Sequence, residues 1–297
     1  MSLIERAAKR LEELRKAGVD YLPEHAQEPV RAAPPPRAIP VVPVPTPLAQ
    51  PVRQTLRRFD LNLDALAAAG FVTPTASRSR ISEEFRVIKR PLLTNTSEKR
   101  ANRVPNANLI MVTSAVPGEG KTFTAVNLAI SIASELNRTV LLVDADVARP
   151  SFPHVLGIPT GPGLMDVLGS EHRELADVLM ETNVDKLSIL SSGNPHAQAT
   201  ELLASNQMSH LLDEMSSRYP DRIVIFDSPP LLVTTEAREL ASHMGQIVVV
   251  VHAESTVQTD VKKALATIEQ CPIKMMLLNQ ARTFAQGSYG YGYGYGA

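Results

Sequence analysis

Residues 113–122 read Thr-Ser-Ala-Val-Pro-Gly-Glu-Gly-Lys-Thr, and this run constrains the fold more than any other part of the chain. An apolar stretch, Leu109-Ile110-Met111-Val112, precedes it, and a periodic one, Phe123 to Ile132, follows it. Strand, glycine loop and helix in that order are the context a phosphate-binding P-loop requires. The loop's backbone N–H groups form an anion-binding concavity, and the helix adds the positive end of its dipole. Gly118 and Gly120 let the backbone wrap closely around phosphate oxygens. Lys121 is placed to reach the β- and γ-phosphates, and the Thr122 hydroxyl to ligate Mg²⁺. Ala115 stands where the usual pattern has its first glycine.

From residue 107 onward the pattern alternates strand and helix. Candidate strands are 108–113, 139–144, 187–191, 222–227, 246–252 and 274–279. They are short, apolar and mostly unalternating, as expected of strands buried on both faces. This predicts an α/β fold of the P-loop NTPase kind, a mostly parallel twisted sheet flanked by helices. Its site belongs at the carboxyl ends of the strands.

The rest of the 297 residues divides by composition. Residues 2–17 read as an amphipathic helix with a Ser2–Glu5 capping box and a stripe through Leu3, Ala7, Leu11 and Leu14. Residues 23–51 hold ten of the chain's 23 prolines and read as a spacer. A short helix is expected within Phe59 to Ala69, and another from Ser82 to Arg90, stopped by Pro91. The expected domains are 1–20 (helix), 21–55 (linker), 56–106 (basic helical and oligomerisation region), 107–285 (P-loop domain) and 286–297 (tail). Residues 1–106 carry a net +7 and residues 107–297 a net −8. The basic part suits an anionic membrane surface or an acidic protein face. The overall net charge of −1 argues against a nucleic-acid partner. Cys271, the single cysteine, reads as a small buried hydrophobe.

Two acidic clusters join the P-loop. Val140-Leu141-Leu142-Val143 runs into Asp144-Ala145-Asp146, and Ile223-Val224-Ile225-Phe226 into Asp227-Ser228-Pro229-Pro230. A buried strand ending in acids sets carboxylates at the edge of the sheet beside the nucleotide. Mg²⁺ takes a few hard oxygen ligands and keeps several waters. Thr122 and one of these aspartates supply such ligands, and a second aspartate is available to accept the proton of an attacking hydroxyl.

With these motifs, the chain over about residues 80–297 resembles the bacterial tyrosine autokinases of exopolysaccharide and capsule synthesis, in their stand-alone, exosortase-associated form. Residues 115–122 look like their Walker A motif, Asp144-Ala145-Asp146 with Arg149-Pro150 like their Walker A′, and Asp227-Ser228-Pro229-Pro230 like their Walker B. The tail, with Tyr289, Tyr291, Tyr293 and Tyr295 alternating with glycine, is similar to their autophosphorylation cluster.

The resemblance implies an ATP- and Mg²⁺-dependent protein-tyrosine kinase. Its nucleotide site comprises Ala115, Pro117, Gly118, Glu119, Gly120, Lys121, Thr122 and Phe123, with Asn279 reading the adenine. Thr122, Asp144 and Asp227 are the implied metal ligands, and Lys121, Asp144, Asp146 and Asp227 the catalytic set, with Asp146 as base. Glu83, Arg86 and Lys89 match an assembly helix, with Lys89 in place of the family's second arginine. The implied partners are further copies of the chain in a phosphorylation-sensitive ring, a separate membrane activator of the chain-length-determinant type, and a phosphotyrosine phosphatase. The implied location is the cytoplasm, at the inner membrane through that activator. Two other readings stay open: an ATP-binding assembly regulator, and a spatial-organising ATPase of the chromosome-partitioning or division-site kind. The latter carries a second lysine early in the P-loop, where this chain has Val116.

Overall fold

The computed structural model describes residues 57–76, 78–97, 104–170, 173–218 and 221–281. The expected helix at 2–17, the proline-rich spacer and the four tail tyrosines lie outside them. In chain order the elements are β1 Arg57–Phe59, α1 Leu63–Ala68, α2 Arg80–Asn95, β2 Leu109–Ser114, α3 Lys121–Ala133, β3 Thr139–Asp144, α4 Phe152–Leu156 and α5 Leu164–Leu168. There follow β4 Met180–Thr182, β5 Leu187–Leu190, α6 Ala199–Leu203, α7 Asn206–Ser217, β6 Arg222–Asp227, α8 Glu236–Ser242, β7 Gln246–His252, α9 Gln258–Ala266 and β8 Ile273–Asn279.

The eight strands form one sheet in the order β1-β4-β5-β3-β6-β2-β7-β8. Every pairing is parallel except that of β4 with β5. The six expected strands are present. β1 and β4 are additional, and at three residues each they are too short to show a period. In the central strands side chains alternate between two apolar layers. Leu109 and Met111 of β2, Val224 and Phe226 of β6, and Ile247 and Val249 of β7 join one layer, with α7, α8 and α9. Ile110, Val112, Ile223, Ile225, Val248 and Val250 join the other, with α2 and α3. Burial on both faces is why the sequence of these strands shows no polar alternation.

The sequence predicts that α2 stops at Pro91, but the helix runs through it to Asn95. Pro91 cannot donate to the carbonyl of Val87. Val87 is 73% exposed and Pro91 is exposed as well, so the lost bond falls on the wet side of the helix. Leu92, fully buried, anchors the continuing turn.

A second departure concerns Lys89. Instead of facing solvent with Glu83 and Arg86, it is 3% exposed. Its ammonium donates to the Ser131 carbonyl at 2.6 Å and pairs with Glu135 at 2.7 Å, tying α2 to the end of α3. The bond from Lys89 to Glu135 holds that carboxyl below its usual pKa. Glu83 and Arg86 stay exposed and pair with each other. Of the expected assembly trio, these two alone face out. We expect Lys89→Ala to lower unfolding stability in urea by about 2–4 kcal/mol, through a cavity and a half-stranded Glu135. Lys89→Met, which fills the same volume without a charge to desolvate, is expected to cost less than half as much.

Candidate functional site: a phosphate loop beside two buried carboxylates

The carboxyl ends of β2, β3 and β6 converge. Asp144 and Asp227 are the last residues of β3 and β6 and stand opposite each other in register. Adjacent strands lie about 4.8 Å apart, so the two acids are neighbours by construction. Asp144 is fully buried and Asp227 is 1% exposed. Burial lifts the Asp144 pKa to about 7, helped by the charge of Asp227. Burial likewise lifts Asp227 to about 6, against the bond from Thr122.

Their hydrogen bonds give the two aspartates different work. Asp144 accepts from the backbone N–H groups of Asp146, Ser151 and Phe152, so both its oxygens clamp the following loop. One oxygen of Asp227 accepts from the Thr122 hydroxyl at 2.6 Å and the Ser151 hydroxyl at 3.2 Å. Its other oxygen, Oδ1, is buried with no partner. An unpaired buried carboxylate oxygen is costly unless something positive faces it. Thr122, Asp227 and Ser151 form a small set of hard oxygen donors, which fits a divalent cation that keeps part of its water shell. Asp144, with both oxygens engaged, fits a supporting position behind them. Ser151 carries little signal in the sequence. Its only signal there is a hydroxyl following Asp-Ala-Asp and Arg-Pro.

The loop between β2 and α3 has the form of an anion site. Gly118 and Gly120 have φ of +85° and +94°. Gly120 caps α3 with no side-chain hydrogen bond, so the first-turn N–H groups are left to a ligand. A Cβ on Gly120 would lie 2.1 Å from the Asn279 amide nitrogen. That amide donates to the Glu119 carbonyl at 2.9 Å, which puts Asn279, ending β8, against the loop.

Two residues expected to touch nucleotide have inward side chains. Glu119 is 1% exposed and accepts from the N–H of Val116 at 2.8 Å, the N–H of His252 at 3.2 Å and the Thr256 hydroxyl. It fastens the loop to the end of β7. The Phe123 ring packs on Phe71, centroids 4.9 Å apart, and on Phe85. Ala115 is fully buried, whereas Pro117 and Gly118 are exposed.

Asp146 lies past the end of β3, half-buried, and accepts from the Arg149 N–H at 3.1 Å. Desolvation raises its pKa, against that bond and the charge of Lys121. The Lys121 charge also acts on Asp227. Phosphate loop, metal-type oxygens and a carboxylate with raised proton affinity thus share one edge of the sheet.

Comparison with known proteins identifies the family. A family profile described as an AAA domain matches residues 107–280. The tyrosine-protein kinase YwqD of Bacillus subtilis is 31% identical over 221 residues, covering 74% of this chain and 89% of that protein. This chain belongs to the bacterial tyrosine-protein kinases. The kinase domain of the Escherichia coli tyrosine kinase ETK matches at 26% identity with a TM-score of 0.61, over 75% of this chain and 86% of that one. The tyrosine-protein kinase ptk of Acinetobacter johnsonii is 34% identical over 182 residues. There the match covers 61% of this chain and only 24% of the relative's length.

In the metal-free kinase both buried aspartates hold their proton to higher pH when folded than when unfolded. Their contribution to stability is complete below about pH 4 and is lost as pH rises through about 6–7. Denaturation from pH 4 to 8 is expected to show that decline, and Asp227→Asn to flatten it. Gly120→Ala is expected to cost about 1–3 kcal/mol in strain and to displace Asn279, weakening nucleotide binding in calorimetry by tenfold or more.

Proposed function

We propose that this chain is a tyrosine autokinase that transfers the γ-phosphoryl group of ATP to tyrosines of its own C-terminal tail. The observation that carries the reading is the unpaired, buried Oδ1 of Asp227 beside Thr122, at the mouth of an uncapped helix. Thr122 and Asp227, with Asp144 behind them, would hold Mg²⁺, which when bound neutralises charge on the phosphates. Lys121 and the loop amides offset the charge that builds on the transferring group. The tyrosine oxygen bonds to the γ-phosphorus as the bond to the β-phosphate oxygen breaks. Asp146 takes the hydroxyl proton and ADP leaves. The raised proton affinity of Asp146 suits that role. Asn279, against the loop, would read the adenine.

From Phe284 to Tyr295 an extended chain reaches about 36 Å at ~3.3 Å per residue. That is enough to enter a neighbouring copy, so transfer between subunits is the favoured route. Four phosphotyrosines add about −6 to −8 charge, enough to drive copies apart. Glu83 and Arg86 are the exposed groups on α2 that contribute to contact between copies. Relatives include a putative tyrosine-protein kinase in the cps region of Klebsiella pneumoniae, at 29% identity. By that kinship the process is control of polysaccharide polymerisation and export, with a separate membrane activator and a phosphatase as partners. No helix among the described residues is long and apolar enough to cross a membrane. On this reading the kinase works in the cytoplasm, at the inner membrane through its activator.

The test is a phosphotyrosine assay with Mg·ATP, with and without a candidate activator. Lys121→Met is expected to reduce transfer about 10²-fold or more, and Asp146→Asn about 10²–10⁴-fold. A chain ending at Phe284 is expected to bind ATP but accept no phosphate on tyrosine. A phosphotyrosine signal retained by that chain would move the acceptor away from the tail. No signal under any condition, with ATP bound, would favour an assembly regulator.

A further inference from the structure

β8 is an edge strand, paired only with β7 among the described residues. Its side chains alternate. Met275 and Leu277 pack against the layer of α2 and α3. Met276 and Leu278, on the α9 side, are 65% and 63% exposed. Between them and α9 runs a groove of about 690 Å³ lined by Val251, Val261, Leu265, Met276 and Leu278, with Lys262 at its side. An open strand edge with an apolar stripe at period two is a template for one more strand.

The chain carries a segment with the matching period. Tyr289, Tyr291, Tyr293 and Tyr295 alternate with glycine, so an extended tail puts all four rings on one face. That stretch of seven residues equals β8 in length. Gln280, directly after β8, has φ of +56° and turns the chain out of the strand direction. The nine residues 280–288, with Gly287 and Ser288 at their end, are long enough to bring the tail back antiparallel. Residues 283–297 carry no charged side chain, which suits the apolar groove.

We propose that the unphosphorylated tail docks in cis on the free edge of β8 as a ninth strand, with its tyrosine rings over Met276 and Leu278. Backbone hydrogen bonds to the edge set the register, and each covered ring removes ~150–250 Å² from water. Linkage through nine residues gives the tail an effective concentration in the millimolar range. A consequence rests on the kinase reading: docked tyrosines are withheld from active sites, and a phosphate on any of them opposes re-docking against Met276 and Leu278.

Hydrogen exchange of the β8 amides tests docking without ATP, so its failure is distinct from failure of the kinase reading. The phosphatase-treated full chain is compared with one ending at Ala285. The outward amides of residues 273–279 are expected to exchange at least tenfold more slowly in the full chain, at every protein concentration. Met276→Lys with Leu278→Lys, both exposed sites, is expected to restore the truncated rate while β2 and β6 keep theirs. Serine at all four tail tyrosine positions is expected to do the same. Equal rates in the full and shortened chains would overturn the proposal. So would protection that grows with concentration, which would assign the edge to a second copy, or protection that survives the serine replacements. With Mg·ATP, the double lysine variant is expected to start autophosphorylation at least twofold faster. An unchanged or slower start would overturn the withholding role.

Discussion

Two carboxylates buried side by side at the ends of β3 and β6 are the costly feature around which this structure is arranged. Neither Asp144 nor Asp227 has appreciable access to water, and in-register pairing keeps them adjacent. The chain offsets the cost locally. Three backbone N–H groups converge on Asp144, and the hydroxyls of Thr122 and Ser151 converge on Asp227. The remaining deficit is one bare oxygen. It lies next to a helix N-terminus that is itself unsatisfied. A bare carboxylate oxygen beside uncapped backbone N–H groups suits a metal–nucleotide complex, which carries a cation for the one and an anion for the other.

The sheet makes that arrangement rigid. β2, β6 and β3 are central strands with both faces buried, so their ends cannot shift without disturbing two apolar layers. The loop between β2 and α3 is pinned separately. The Glu119 carboxylate fastens it to the end of β7, and the Glu119 carbonyl receives the Asn279 amide from the end of β8. An acid inside a phosphate-binding loop would repel its ligand if it faced out. Buried and hydrogen-bonded, it serves as a brace.

The same logic accounts for α2. Its two departures from expectation, passage through Pro91 and burial of Lys89, have opposite surroundings. Pro91 is tolerated because the carbonyl it cannot satisfy is on the wet side of the helix. Lys89 is tolerated because its ammonium meets a carbonyl and a carboxylate at the end of α3. Together they give α2 a buried ionic tether to the P-loop helix and an exposed strip with Glu83 and Arg86.

Much of this was legible in the residues. The glycine loop, the apolar runs of β2, β3 and β6 and the acids ending them are local patterns with local causes. They were enough to place the sheet, the P-loop helix and the site at the strand ends. What a single side chain does there was not legible, because that depends on groups distant in sequence. Glu119 and Asp227 read alike as acids near a phosphate site. One is an internal brace and the other a candidate ligand, and the difference lies in His252, Thr256 and Thr122. Ser151 gains its place only because Asp144 accepts from the N–H groups of Ser151 and Phe152, which leaves the hydroxyl against Asp227, and Lys89 loses a solvent-facing role only because α3 ends next to it. Sequence by itself determined the fold and the strand ends at which its candidate site lies, since strand burial and loop geometry act over short stretches. The tertiary structure alone decided which oxygens are open and which charges are engaged, since hydrogen bonding and desolvation are set by neighbours that the chain brings together only when folded.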